Sequence, residues 1–318
     1  MTEPIGHDSH LIDTGLYRPR HSACYLVADH GELAIIDTGT GHSLPRVLAA
    51  IAAVGATPSQ VRYVIPTHVH LDHAGGAGQL MQVCSEATLV VHPKGQPHMV
   101  DPSKLQAGAT AVYGEAAFER DFGSLRPIPA ERTLAAADGA SFPLGGRTLT
   151  FLHTPGHANH HGCIFDRSSG YLYTGDTFGL GYTELYSAAG PLLVATTTPV
   201  AFDPEAWFGS LERMMALDPI ACCLTHFGRV DRPETLVGML RASIQAHVEI
   251  ALEEERRDEQ GREARLMAAV ERLLVEAGTR HSGLPEDRVR DVFSADITLN
   301  AQGLSVWLAR RAKAKARE

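Results

Sequence analysis

The 318-residue sequence has no apolar run near the roughly 18 residues that a membrane-crossing helix needs. Its start, Met1-Thr2-Glu3-Pro4-Ile5-Gly6-His7-Asp8, lacks the basic residues and apolar centre of a signal peptide, so a cytoplasmic protein outside the membrane is expected. Cysteine is scarce. The five (Cys24, Cys84, Cys163, Cys222, Cys223) form an odd set with no C-x-x-C spacing. A disulfide framework or thiolate metal site is not indicated, and the cysteines read as small buried hydrophobes. Excess positive charge is missing too: the net charge is -9, which argues against nucleic acid as a partner. Residues 234–318 carry 14 basic and 15 acidic side chains, leaving 14 basic against 22 acidic in the first 233, so the acidity lies there.

What is present is an ordinary globular composition, 44% hydrophobic and 20% charged. The length exceeds the roughly 250 residues at which one core stops growing, so a large domain with an appendage is expected. Up to about residue 230, short apolar runs alternate with Gly, Pro and Asp punctuation. Ala23–Ala28 and Leu33–Asp37 flank Asp29-His30-Gly31-Glu32 as a hairpin, and Leu44, Val47, Leu48 and Ile51 have helical spacing that stops at Gly55. Val61–Ile65 and Ala87–Val91 read as strands around a helix at Gln79–Val83. Further strands are expected at Gly146–His153, Cys163–Asp166, Tyr171–Asp176 and Ile220–His226. Residues 93–127 break the rhythm, and an insertion of that length forms either a lid or a packed helical layer. From about residue 233 the chain turns to helix formers: Leu236, Leu240, Ile244, Val248, Ala251 and Leu252 share a face, and a last helix ends in Arg310, Arg311, Lys313, Lys315 and Arg317. Basic residues suit a helix C-terminus without any partner.

Chemistry concentrates behind one strand, in Thr67-His68-Val69-His70-Leu71-Asp72-His73-Ala74-Gly75-Gly76. Imidazole offers a neutral nitrogen and aspartate an oxygen, so three His and one Asp within six positions form a metal-binding pattern. His68 and His70, two apart at a strand end, point the same way, while Asp72 and His73 can face a second ion. A His or Asp also stands at other strand ends: His157 after Thr154-Pro155-Gly156, Asp176 after Gly175, and His226 after the last strand.

On these residues the sequence resembles the metallo-β-lactamase fold superfamily. The resemblance covers about the first 230 residues and implies an α/β fold, an αββα sandwich, with a catalytic domain over 1–232 and a helical region over 233–318. By similarity His68, His70 and His157 would hold one divalent ion, and Asp72, His73 and His226 a second. Asp176 would bridge both. The implied activity is hydrolysis by a hydroxide shared between two ions, which Asp72 could help align. Asp37 is similar to the family's early strand-end Asp and would orient a ligand or the H-x-H loop. The ligands alone do not select the metal; zinc is favoured as the commonest occupant of such sites, with iron or manganese also suited.

Departures narrow the branch. Thiolate-bearing zinc β-lactamases have Cys where this chain has Asp176, and other lactamase subclasses lack that bridging Asp. The flavodiiron branch has Glu in place of His70, and the nucleases bring an inserted domain or basic surfaces. What remains is similar to glyoxalase II and lactonase-like hydrolases of small esters, thioesters or lactones. Lactonases carry Tyr three residues after the bridging Asp, where this chain has Gly179; Tyr182 and Tyr186 follow in the same loop as candidate hydrogen-bond donors to substrate. His161, four residues after His157, matches a supporting His of some lactonases. No basic cluster for glutathione is evident. The expected partner is a small-molecule substrate, and a homodimer stays open. An iron-dependent redox enzyme of the same fold, persulfide dioxygenase-like or diiron, is the alternative; a metal-dependent binding module acting through the C-terminal helices is a third reading.

Overall fold

The structure, a computed structural model, describes residues 2–316, so Arg317 of the basic tail lies outside the described residues. It divides into two compact units, one made of Met1–His153, His160–Gly175 and Asp218–Asp231, the other of Thr154–Asn159, Asp176–Leu217 and Arg232–Glu318.

The first unit carries every strand of the described residues. One sheet runs in chain order through β1 (Thr2–Gly6), β2 (Ser9–Asp13), β3 (Ala23–Asp29), β4 (Glu32–Ile36), β5 (Val61–Ile65), β6 (Thr88–Val91) and β7 (Thr133–Ala135). Its first four strands are antiparallel and the last three join in parallel. The β3–β4 hairpin closes through His30 and Gly31, both at positive φ (46° and 83°), as a two-residue turn matched to strand twist requires. Parallel β4 and β5 need a crossover, supplied by α1 (Leu44–Ala53), which stops before Gly55 at φ 74°.

The second sheet orders β13 (Gly228–Asp231), β12 (Ala221–Leu224), β11 (Tyr171–Gly175), β10 (Gly162–Asp166), β9 (Arg147–His153) and β8 (Ser141–Leu144). Its neighbours are antiparallel except β11 and β12. Strand alternation divides the core. Tyr25, Val27, Ala34 and Ile36 join Phe151, Ile164, Tyr173 and Cys223 in a buried cluster shared by the two sheets. Cys24, Leu26, Leu33 and Ile35 face the other way, onto Val47, Ile51, Leu80 and Met81 of the helices. Each of the Val, Leu, Ile, Phe and Met side chains among these stabilises the fold by roughly 1.5–3 kcal/mol on burial. The expected α/β sandwich is therefore the fold found. All five cysteines are buried, and none forms a disulfide among the described residues.

Two short helices, α2 (Leu71–Ala74) and α3 (Ala77–Val83), follow β5. Asp72 and His73 sit in the helical turn α2, because the His73 and Ala74 N–H groups both bond the His70 carbonyl, at 3.1 and 2.9 Å. The 93–127 insertion folds as α4 (Gln96–Val100), α5 (Ser103–Tyr113) and α6 (Glu115–Phe122). Phe118 and Phe122 pack on Leu71, with Leu105 and Ala109 beside them, so the insertion lies on the turn that carries Asp72.

The second unit is helical: α7 (Pro204–Met215), α8 (Val237–Glu255), α9 (Arg262–Ser282), α10 (Glu286–Val292) and α11 (Ser294–Lys315). Asp203 caps α7 by accepting the Ala206 N–H at 3.1 Å. Leu240, Ile244, Leu266, Val270, Leu274, Leu304 and Leu308 are buried along α8, α9 and α11. The basic end of α11 is engaged within the chain, Arg311 and Lys315 both reaching Glu255. No helix among the described residues is long and apolar enough to cross a membrane.

Candidate metal centre

Parallel pairing sets the C-terminal ends of β4 and β5 side by side, and Asp37, directly after β4, collects the loops around it. Its Oδ1 accepts the Thr67 N–H at 2.7 Å and the Thr67 hydroxyl at 3.0 Å. Its Oδ2 accepts His73 Nδ1–H at 2.8 Å and the Thr225 hydroxyl at 2.8 Å. Asp37 sits at φ 55°, a left-handed conformation that Asp tolerates better than most residues, and it is buried. One carboxylate thus ties the H-x-H loop, α2 and the residue before His226.

Two side chains lean on Asp72. His226 Nε2 lies 3.1 Å and His73 Nε2 3.4 Å from its Oδ2, and one donor atom from each of the three lies within 4.8 Å of the others. Burial on its own would raise the Asp72 carboxyl; when the His73 and His226 imidazoles are charged they outweigh it and hold the group well below the ordinary carboxylate range. His68 Nε2 and His70 Nδ1 are 2.9 Å apart. The His161 ring lies 4.8 Å from that of His68, and His160 stands over both His68 and His70 at 6.1 and 5.6 Å. Gly175 is forced by this crowding: a Cβ there would meet His161 Nε2 at 2.5 Å and Thr67 Oγ1 at 2.6 Å.

The second unit brings His157 and Asp176 together, with His157 Nε2 3.4 Å from Asp176 Oδ2. Both are buried. His157 Nδ1–H donates to the Thr196 carbonyl at 3.0 Å, and the ring meets Trp207 edge-on at 6.1 Å. Trp207 donates its indole N–H to the Thr177 carbonyl at 2.7 Å and packs so tightly on Gly156 that a Cβ there would come within 2.3 Å. The T-P-G-H and G-D-T turns are thereby braced by one indole.

The donor chemistry fits divalent ions. Carbonyl and carboxylate oxygens only accept, so Nδ1 of His73, His157 and His226 must carry the proton; His226 donates to the His21 carbonyl at 2.8 Å. Each Nε2 is left with its lone pair turned away from that anchor, the arrangement a ligating imidazole needs. Nitrogen and carboxylate donors without thiolate suit zinc, iron or manganese.

Two phenols, both exposed at the surface, feel the charge of Asp72. Partial burial, and after it Asp72, pushes the Tyr113 hydroxyl up to about 12. The Tyr17 phenol is raised as well, by partial burial and then by Tyr113 and Asp72. Both are neutral donors at ordinary pH, and no spacing in the sequence links either to Asp72. Tyr182, expected as a donor to substrate, is buried with its hydroxyl on Asp296 Oδ1 at 3.3 Å and its ring 6.0 Å from Phe293, which makes it a packing residue of the second unit. Tyr186 is half-buried after the 3-10 turn Thr183–Leu185.

The family model for the metallo-beta-lactamase superfamily matches residues 17–226, and the chain belongs to that superfamily. It is a hydrolase by class, and its fold implies divalent metal ions. A metallo-beta-lactamase fold-containing protein of Sulfurisphaera tokodaii is 26% identical over 240 residues, 73% of this chain and 84% of the relative. The acyl-coenzyme A thioesterase MBLAC2 of Gallus gallus is 30% identical over 183 residues, 55% of this chain and 64% of its own length. An atrochrysone carboxyl ACP thioesterase of Aspergillus fumigatus is 27% identical over 154 residues, 48% of this chain and 38% of its own. In fold the chain is similar to a metallo-beta-lactamase family protein of Thermus thermophilus, with a TM-score of 0.67 at 19% identity, covering 97% of this chain and 95% of the other.

Proposed function

We propose that the chain is a two-metal hydrolase of small acyl esters, with thioesters the favoured class. One ion would be held by His68, His70 and His157, and the other by Asp72, His73 and His226. Asp176 would lie between them. The observation that carries the reading is that His73, His157 and His226 each have Nδ1 anchored by an acceptor, leaving Nε2 as the donor. Zinc is the favoured ion as the commonest occupant of such nitrogen and oxygen sites, with iron or manganese the alternatives. Two relatives described as thioesterases support the acyl thioester over a lactone.

Divalent ions held there would supply water acidified to a pKa of about 7 and a Lewis acid for the acyl carbonyl. The chain's own residues do the rest. Asp37 keeps the His73 ring in one tautomer, and Asp72, held ionised, accepts a proton-bearing hydrogen bond from the attacking water. The helical layer over residues 93–127 acts as a cover, which the packing of Phe118 and Phe122 on Leu71 supports; it excludes water from the leaving thiolate.

Elemental analysis of the purified protein with an acyl-thioester assay tests the reading. About two equivalents of metal, hydrolysis lost on chelation and recovered with zinc, are the expected result. Intact metal with no turnover across thioesters, lactones and phosphodiesters refutes it. Oxygen uptake with a persulfide on an iron-loaded sample points to the redox alternative instead.

A further inference from the structure

The His157 imidazole takes its direction from the Thr196 carbonyl, and that carbonyl is itself held from behind. Asn300, buried in α11, brackets Thr196 with one amide: its Nδ2 donates to the Ala195 carbonyl at 3.1 Å, and its Oδ1 accepts the Thr197 N–H at 2.8 Å. The Thr197 hydroxyl returns to the Asn300 carbonyl at 3.0 Å. From α8, Ser243 Oγ accepts the Ala195 N–H at 2.9 Å. The second amide hydrogen of Asn300 faces His247 Nε2 at 3.3 Å, whose Nδ1–H donates to the Ser243 carbonyl at 2.8 Å. Gly303, one turn along α11, lets the helix backbone touch the segment directly, since a Cβ there would fall 1.6 Å from the Thr197 oxygen.

With the groups on either side of Thr196 taken by Asn300 and Ser243, its carbonyl has one direction left, the one His157 uses. We infer that Asn300 and Ser243 are positioning residues for His157, so that the C-terminal helices set the tautomer and aim of a metal-facing imidazole. This gives the C-terminal helices a task at the centre, exerted through the Ala195–Thr197 segment. The signal lay in the sequence unread: Asn300 and Gly303, three apart on one helix face, are a polar residue and a helix-weakening one where packing alone would favour apolar side chains.

The inference rests on His157 being a ligand. Full-length Asn300→Asp, Ser243→Ala and Leu304→Ala variants test it through two readouts: the 15N imidazole shifts of His157 in metal-free protein, and zinc affinity against a chromophoric chelator. Asn300→Asp turns a donor into a second acceptor facing the Ala195 carbonyl. Ser243→Ala, at a half-exposed position, remains informative if Asn300→Asp does not fold. Leu304→Ala removes a fully buried apolar side chain of the same helix, which has no group to hydrogen-bond the Ala195–Thr197 segment, and lowers stability. The expected result is loss of the fixed Nδ1–H tautomer and about tenfold weaker zinc binding in the first two variants, with both retained in Leu304→Ala. Unchanged tautomer and affinity in folded Asn300→Asp or Ser243→Ala overturns it, as does a loss in all three that follows melting temperature. Full zinc affinity in His157→Gln overturns the ligand reading and leaves the tautomer result standing.

Discussion

Asp37→Asn keeps the shape of a buried side chain and changes what its two ends can accept. Four donors meet the carboxylate: the Thr67 N–H and hydroxyl at one oxygen, His73 Nδ1–H and the Thr225 hydroxyl at the other. An amide has one accepting end. Threonine hydroxyls can rotate away, but the N–H groups cannot, so whichever way the amide turns, either the Thr67 N–H or the His73 N–H faces an NH2. An orphaned buried donor costs about 1–3 kcal/mol and the lost charge-assisted bond about 1.5–3. Together they put the loss at roughly 3–5 kcal/mol, a fall in Tm of about 10 °C. The imidazole has one escape, moving its proton to Nε2, which removes the lone pair from the side where Asp72 and His226 stand. Metal affinity then drops by about 10–100-fold. Calorimetry with and without zinc, beside a zinc competition titration, reads both effects. An Asn variant that melts within about 2 °C of the parent and binds zinc as tightly refutes the account of how the centre is held.

Gly175→Ala drives a Cβ into His161 and Thr67 at a residue with φ 48°; kcat/KM on a thioester should fall about 100-fold, whereas Gly209→Ala, in α7 with nothing within 4 Å, should leave activity intact and raise Tm slightly. Burial lowers the His247 imidazole to about 4 from 6.5, against a weaker opposing pull from the Ser243 carbonyl. The unfolded chain binds this proton first on acidification. Stability contributed by neutral His247 is whole above pH 6.5 and falls as pH drops toward 4, by about 3 kcal/mol. Denaturant melts across that range should show a shallower decline in His247→Gln than in the parent; equal slopes contradict the assignment.

Local signals carried much of the fold. Val61–Ile65 reads as a strand because it is a short β-branched and aromatic run stopped by Pro66, and the structure gives that strand the same bounds. The Asp29-His30-Gly31-Glu32 turn follows from residues that accept positive φ, and α1 from its spacing and Gly55. Strands β1, β2, β7, β8 and β13 carried no such signal. They are short, and their polar or turn-like residues become strand only where a neighbour offers a ladder. The helix α7 was also missed, although Asp203-Pro204 is a cap and first-turn signature. In the insertion, the sequence left lid and packed layer equally open, because the burial of Phe118 and Phe122 against Leu71 exists only once the chain has closed.

The candidate donors divide the same way. Their types and their stations at strand ends are written locally, in H-x-H-x-D-H and in single His or Asp residues before Gly and Pro turns. What each imidazole does with its second nitrogen depends on partners 36, 39 and 205 residues away: Asp37 for His73, Thr196 for His157, and His21 for His226. Tyr182 shows the converse, a residue well placed in sequence whose hydroxyl the fold turns onto Asp296. Sequence alone determined which atoms could serve as ligands, since that is side-chain chemistry. Tertiary structure decided their tautomers and aim, because a hydrogen bond is fixed by the position of its acceptor, and those acceptors are supplied by distant parts of the chain.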